Sequence, residues 1–234
     1  LILEKSIFEV RTKVYVLKEI SKKTAQQVIT SYVDEVLAKN PVYLEMHNQN
    51  KFKPYSFDCF FPVEKEGIYA EGKVYQFRVR ALTEELGDYL LKELPRHETE
   101  YLKGLVSEIH AIKQKPIEKV FTVTPIVLKT KGYWKNNGTS FDQFEKLIRT
   151  NLIKKYKQWT NEDLDENFIL YNSIQLLNSK PISIAYKNIH LLGDKVEIMV
   201  ANNETAQNLM FMSIATGLGT MNSRGFGMVN YRYL

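Results

Sequence analysis

At 234 residues, with 44% hydrophobic and 25% charged residues, the chain has the length and balance of one large or two small globular domains, which argues against disorder. Lys and Arg number 32 against 27 acidic residues, and the net charge of +5 favours a polyanionic partner while also fitting an ordinary solvated basic surface. A single cysteine rules out an intrachain disulfide framework, no stretch approaches the ~20 apolar residues of a membrane span, and no signal-peptide pattern opens the sequence, so a cytoplasmic protein is expected.

Phe8, Val10, Thr12, Val14 and Val16 alternate with polar neighbours and predict a half-buried strand. Ala25, Val28, Ile29, Tyr32, Val33, Val36 and Leu37 recur at helical spacing over 22–39, and Asn40-Pro41 is expected to end that helix in a loop running through His47. Tyr55–Val63 and Val74–Ala81 read as strands on either side of a glycine-containing turn region, and Cys59, among the aromatics of Phe57–Phe61, reads as a buried, inert thiol. Thr83-Glu84-Glu85 caps a helix ending near Leu94-Pro95, and a strand lies within Val106–Lys113. The order is βαββαβ, the ferredoxin-like split βαβ.

Lys113-Gln-Lys-Pro116 reads as a linker, after which the order starts again. Val120–Leu128 is a predicted strand, Ser140–Trp159 a helix, Phe168–Leu177 and Pro181–Val200 a set of strands, and Thr205–Ala215 a helix. The halves repeat in element order, without a residue-level repeat. The fold class is therefore α+β, two tandem ferredoxin-like domains, 1–115 and 116–234.

Four glycines follow within eleven residues, Gly217, Gly219, Gly225 and Gly227, in a run that also carries Asn222, Ser223, Arg224 and Phe226. Such a run tolerates positive φ, and its N–H groups can cradle a phosphate. A dinucleotide-binding fingerprint would open a helix inside a βαβ unit, whereas this run feeds a last strand, so that reading is set aside. Arg224 to Tyr231 fits the RNA-recognition signature K/R-G-F/Y-G/A-F-V-x-F/Y except where Met228 replaces an aromatic.

Together with a second stretch, Leu44-Glu-Met-His47-Asn-Gln-Asn-Lys51-Phe-Lys53-Pro54-Tyr55-Ser56-Phe57, this ending resembles the CRISPR-associated repeat-RNA endoribonucleases, the Cas-six family of the RAMP superfamily. The family's C-terminal glycine loop ends in Gly-Phe-Gly, matched by Gly217, Gly219, Ser223, Gly225, Phe226 and Gly227, and the second stretch is similar to its histidine segment leading into a Lys-Pro-aromatic-Ser/Thr strand. The resemblance covers nearly the whole chain. It implies catalytic residues in 1–115, an RNA-binding glycine loop in 116–234, and metal-independent cleavage of CRISPR repeat RNA by 2′-OH attack, leaving 2′,3′-cyclic phosphate and 5′-OH ends. It implies no cofactor, repeat RNA or crRNA as partner and no membrane, and leaves open a homodimer and association with other CRISPR effector subunits. The alternative is a non-catalytic RNA-binding RAMP subunit.

RNA cleavage without a metal needs a base for the 2′-OH, a cation for the phosphorane charge and an acid for the leaving 5′-oxygen. His47 can shuttle a proton near neutrality and Lys51 or Lys53 can supply the charge. Tyr32, His47 and Lys53 also stand at the spacing of the Tyr, His and Lys that act together in the family, although Tyr32 lies on the apolar face of its helix. For RNA contact the candidates are Lys51, Lys129 and Lys131 beside Tyr133 and Trp134, the run Gly217, Gly219, Asn222, Ser223, Arg224, Gly225, Phe226 and Gly227, and the strand-borne Arg11, Lys13, Arg78 and Arg80. Lys146, Arg149, Lys154, Lys155 and Lys157 crowd one helix and read as a solvated face. His97, His110 and His190 have no partner at metal-ligand spacing, so no metal is expected.

Overall fold

The computed structural model describes residues 6–49, 51–128, 132–187 and 189–234. In the N-terminal half, β1 (Ser6–Val16), a short β2 (Ile20–Ser21), α1 (Ala25–Ala38), α2 (Pro41–Asn48), β3 (Tyr55–Phe57), a short β4 (Ile68–Tyr69), β5 (Val74–Ala81), α3 (Glu84–Glu93) and β6 (Leu102–Lys113) follow in order. Their four-stranded antiparallel sheet is ordered β3-β5-β1-β6, and β2 and β4 form a separate ribbon. In the C-terminal half come β7 (Ile117–Thr122), α4 (Phe141–Thr160), β8 (Tyr171–Leu176), the hairpin β9 (Ile182–Tyr186) and β10 (Ile189–Gly193), β11 (Val196–Val200), α5 (Glu204–Thr216) and β12 (Val229–Tyr233). The second sheet is ordered β12-β7-β11-β8. In both halves the fourth strand lies beside the first, then the third, then the second, so each is a ferredoxin-like βαββαβ unit.

Local chemistry accounts for most boundaries. Thr83 accepts the Leu86 N–H, with Glu84 and Glu85 in the first turn of α3, where carboxylates favour the helix dipole. Ser140 and Gln143 form a capping box on α4, and Asn203 caps α5 through the Ala206 N–H. At Asn40-Pro41 the expected loop is corrected: Asn40 accepts the Val42 N–H and Pro41 occupies the first helical position, where its missing N–H costs nothing, so the pair starts α2. The strand expected over Tyr55–Val63 is confined to Tyr55–Phe57, because the Asp58 carboxylate turns in to accept the Arg78 N–H and Nε. The strand expected to reach Leu128 ends at Thr122, shortly before Pro125, which has no N–H to offer a ladder.

Each half has its own apolar core. Val10, Val14, Ile29, Val33, Val36, Phe57, Phe77, Val79, Leu86 and Leu90 fill the first, and Ile117, Val120, Phe144, Ile148, Leu152 and Ile198 anchor the second. Burying each of these side chains contributes about 1.5–3 kcal/mol. Helix α5 is buried on every side from Leu209 to Thr216 and packs on β1, β3 and β5 as well as on β7, β11 and β12. It is the spine between the halves, and the glycine run leaves from its end.

Candidate active site at the junction of the halves

The Asn40-Pro41 start of α2 puts His47 in that helix's last turn, where its Nδ1 stands 3.6 Å from Asp34 Oδ1 on α1. Pro54 keeps Lys53 extended after α2, and the Lys53 amine returns to the helix end, donating to the Met46 carbonyl at 2.5 Å and the Gln49 carbonyl at 2.7 Å. A cation there meets the negative end of the helix dipole. Burial lowers the Lys53 pKa, the Arg224 guanidinium lowers it further, and Asp34 opposes both.

Arg224 reaches this cluster from the other half and pairs with the second oxygen of Asp34. Burial works against the guanidinium, but the Asp34 carboxylate outweighs it and the net shift is upward. Two residues earlier, the Asn222 amide donates to the Lys53 carbonyl at 2.9 Å and the Tyr55 carbonyl at 2.7 Å. His47, Lys53, Asp34 and Arg224 thus form one partly exposed cluster of polar side chains stapled across the halves.

Tyr32 is not part of it, which corrects the expected trio. Its side chain is fully buried, and its hydroxyl sits on the carbonyl oxygens of Leu94 at 2.5 Å and His97 at 2.9 Å, with burial pushing its pKa up. It makes no hydrogen bond to His47 or Lys53 among the described residues. The phenol satisfies buried carbonyls instead, consistent with its place on the apolar face of α1.

The phosphate cradle is corrected too. The N–H groups of Gly217, Leu218, Gly225, Phe226 and Gly227 all donate to carbonyls of the chain itself, from Ser213, Gly227, Asn222, Met221 and Pro125 respectively. A Cβ at Gly225 would lie 1.4 Å from Gln26 Nε2, and one at Gly227 would lie 1.9 Å from the Leu218 carbonyl oxygen, both at positive φ. Gly217 and Gly219 are buried, Asn222 is spent on the N-terminal half, and Phe226 is 1% exposed. These residues let one backbone segment pack against another. Of the run, Ser223 and Arg224 keep partial exposure, and Lys51 is exposed. Lys129 and Lys131 lie outside the described residues.

Among the strand arginines, Arg80 is 2% exposed, bonded to Glu9 at 2.7 Å, to the Val229 carbonyl and to Asn230 Oδ1 at 2.8 Å, so it clamps the halves rather than facing solvent. Arg11, Arg78, Lys113, Lys115, Tyr231 and Tyr233 line a cleft of about 640 Å³ between the two sheets, where cations meet aromatic rings. Burial pushes the Cys59 thiol up to about 11, as befits an unreactive cysteine. Among the described residues no group of three or more His, Cys, Asp or Glu could hold a metal ion, and no helix is long and apolar enough to cross a membrane.

Residues 108–231, more than half of the chain, match the family described as CRISPR associated protein Cas6, C-terminal. The chain belongs to the Cas6 family. It is 29% identical to a protein of Methanocaldococcus jannaschii named CRISPR-associated endoribonuclease Cas6 2, across 91% of this chain and 92% of that one. A second protein of the same organism, CRISPR-associated endoribonuclease Cas6 1, is 27% identical over 84% of this chain and 81% of its own length. Among solved structures, one titled CRISPR associated protein Cas6 superposes with a TM-score of 0.72 at 22% identity, covering 97% of this chain and 99% of that one. Another, titled as a RAMP protein binding different RNA substrates, reaches 0.72 at 18% identity, covering 96% and 99%. At those identities the structures establish the shared fold. Asp34, which pairs with Arg224 and stands beside His47, was missed in the sequence: its partner Arg224 is 190 residues away.

Proposed function

We propose that this Cas6 chain cleaves CRISPR repeat RNA without a metal, through 2′-OH attack that leaves 2′,3′-cyclic phosphate and 5′-OH ends. The supporting observation is the grouping of His47, Lys53, Asp34 and Arg224 where the halves meet. His47 exchanges protons with the 2′-OH and the leaving oxygen. Lys53 has three N–H donors when charged and gives two to Met46 and Gln49, leaving one for a phosphate oxygen as phosphorane charge grows. No step falls to Tyr32. Lys51, Lys129, Lys131, Ser223 and Arg224 are the RNA contacts of this reading, with residues 1–115 as the cleaving half and 116–234 as the half that supplies the staple.

The buried Tyr32 hydroxyl favours the alternative, a non-catalytic RNA-binding subunit, because it removes one proton-transfer group from the expected set. Labelled repeat RNA incubated with the protein in EDTA separates the two readings. Cleavage with cyclic-phosphate ends is the expected result. RNA that is bound but intact supports the alternative, and cleavage only on adding Mg²⁺ or Mn²⁺ contradicts the proposed chemistry.

A further inference from the structure

Lys155 occupies a core position. On α4 it continues the stripe of Phe144, Ile148 and Leu152, and it is 2% exposed. Among the described residues its amine meets no carboxylate; it donates to the carbonyls of Thr216 and Gly217, both at 2.9 Å, where α5 gives way to the glycine run. Nearby hydroxyls do not compete, because Ser213 and Thr216 donate back into α5, to Met210 and Met212. Burial alone pushes the amine down to about 7, with no charged side chain of α4, α5 or the run contributing. A neutral amine has two N–H groups, matching the two carbonyls, whereas an ammonium would bury a third donor unpaired.

A buried amine without a counter-ion is costly wherever it stands, and here it stands at the root of the segment that closes the site. From Gly217 the chain folds back so that Leu218 donates to the Gly227 carbonyl, Asn222 binds the carbonyls flanking Pro54, and Arg224 reaches Asp34. We propose that Lys155 is a positioning residue of the cleaving site, pinning the exit of α5 and so setting where Asn222 and Arg224 meet Lys53 and Asp34. This rests on the reading of His47 and Lys53 as the cleaving pair.

Lys155→Met keeps the length of the stem and removes the donors. In the free variant, hydrogen-exchange protection of the Leu218, Gly225, Phe226 and Gly227 amides should fall while that of Val120 and Ile198 in the second sheet is retained. Single-turnover cleavage of repeat RNA should fall by roughly tenfold to a hundredfold, the effect of misplacing reacting groups by about 1 Å. Unchanged protection together with parental cleavage overturns the proposal. Protection lost equally at all these amides overturns it as well, since that is a purely structural role. If the variant does not fold, the parent decides: protection of the run, corrected for intrinsic exchange and compared with Val120 and Ile198, should rise as pH passes through about 7, and a flat profile refutes the latch. A parent that leaves repeat RNA intact overturns the cleavage reading, while the protection data still decide whether the latch exists.

Discussion

At the scale of single residues, burial separates groups that look alike in the sequence. The partial exposure of His47 and Lys53 was legible there, since a histidine in a polar stretch before Lys-Pro has little reason to be buried, and both stand partly exposed at the junction. Tyr32 and Lys155 were not, because helical spacing says which face a residue occupies and not what its polar tip meets there. Tyr32→Phe tests the first of these. It removes the hydroxyl from the Leu94 and His97 carbonyls, which keep the His97 and Gly104 N–H groups, so it should lower stability by about 0.5–1.5 kcal/mol while the single-turnover rate of RNA cleavage stays at the parental value. A rate falling a hundredfold without loss of stability would return Tyr32 to the site.

At the scale of elements, periodicity and caps served well where an element stands on its own. The helical reading of Ser140–Trp159, Thr83 with its two glutamates and the alternation of β1 placed α4, α3 and the first strand within a few residues. Asn40-Pro41 misled because the same pair that stops one helix begins another. The glycine run was legible as a place of positive φ, but what lies opposite each missing side chain is set by distant segments, Gln26 and Phe57 for Gly225. Gly225→Val should therefore lower stability by at least about 2 kcal/mol, through crowding and an unfavourable φ, with RNA binding falling only as the folded fraction falls. Thermal melts alongside RNA titrations read this out, and a stable variant that has lost RNA would restore the phosphate-cradle reading.

At the scale of the molecule, the duplication was legible because element order survives when residue identity does not, and both sheets have the same strand order. Its consequence was hidden. Buried α5, the Arg80 clamp on Glu9 and Val229, and the Asn222 and Arg224 staple join the halves so that the candidate site draws on both. A histidine from one half is thereby held beside an arginine from the other, through a carboxylate that neither motif contains. The central claim is that His47 performs the proton transfer at this junction. It is tested most directly by the single-turnover cleavage rate of repeat RNA by His47→Ala in EDTA, with RNA affinity measured on the same samples. The account predicts a rate lower by roughly 10²–10⁴, the usual worth of a general acid or base, at nearly unchanged affinity; a variant that cuts at the parental rate would contradict it.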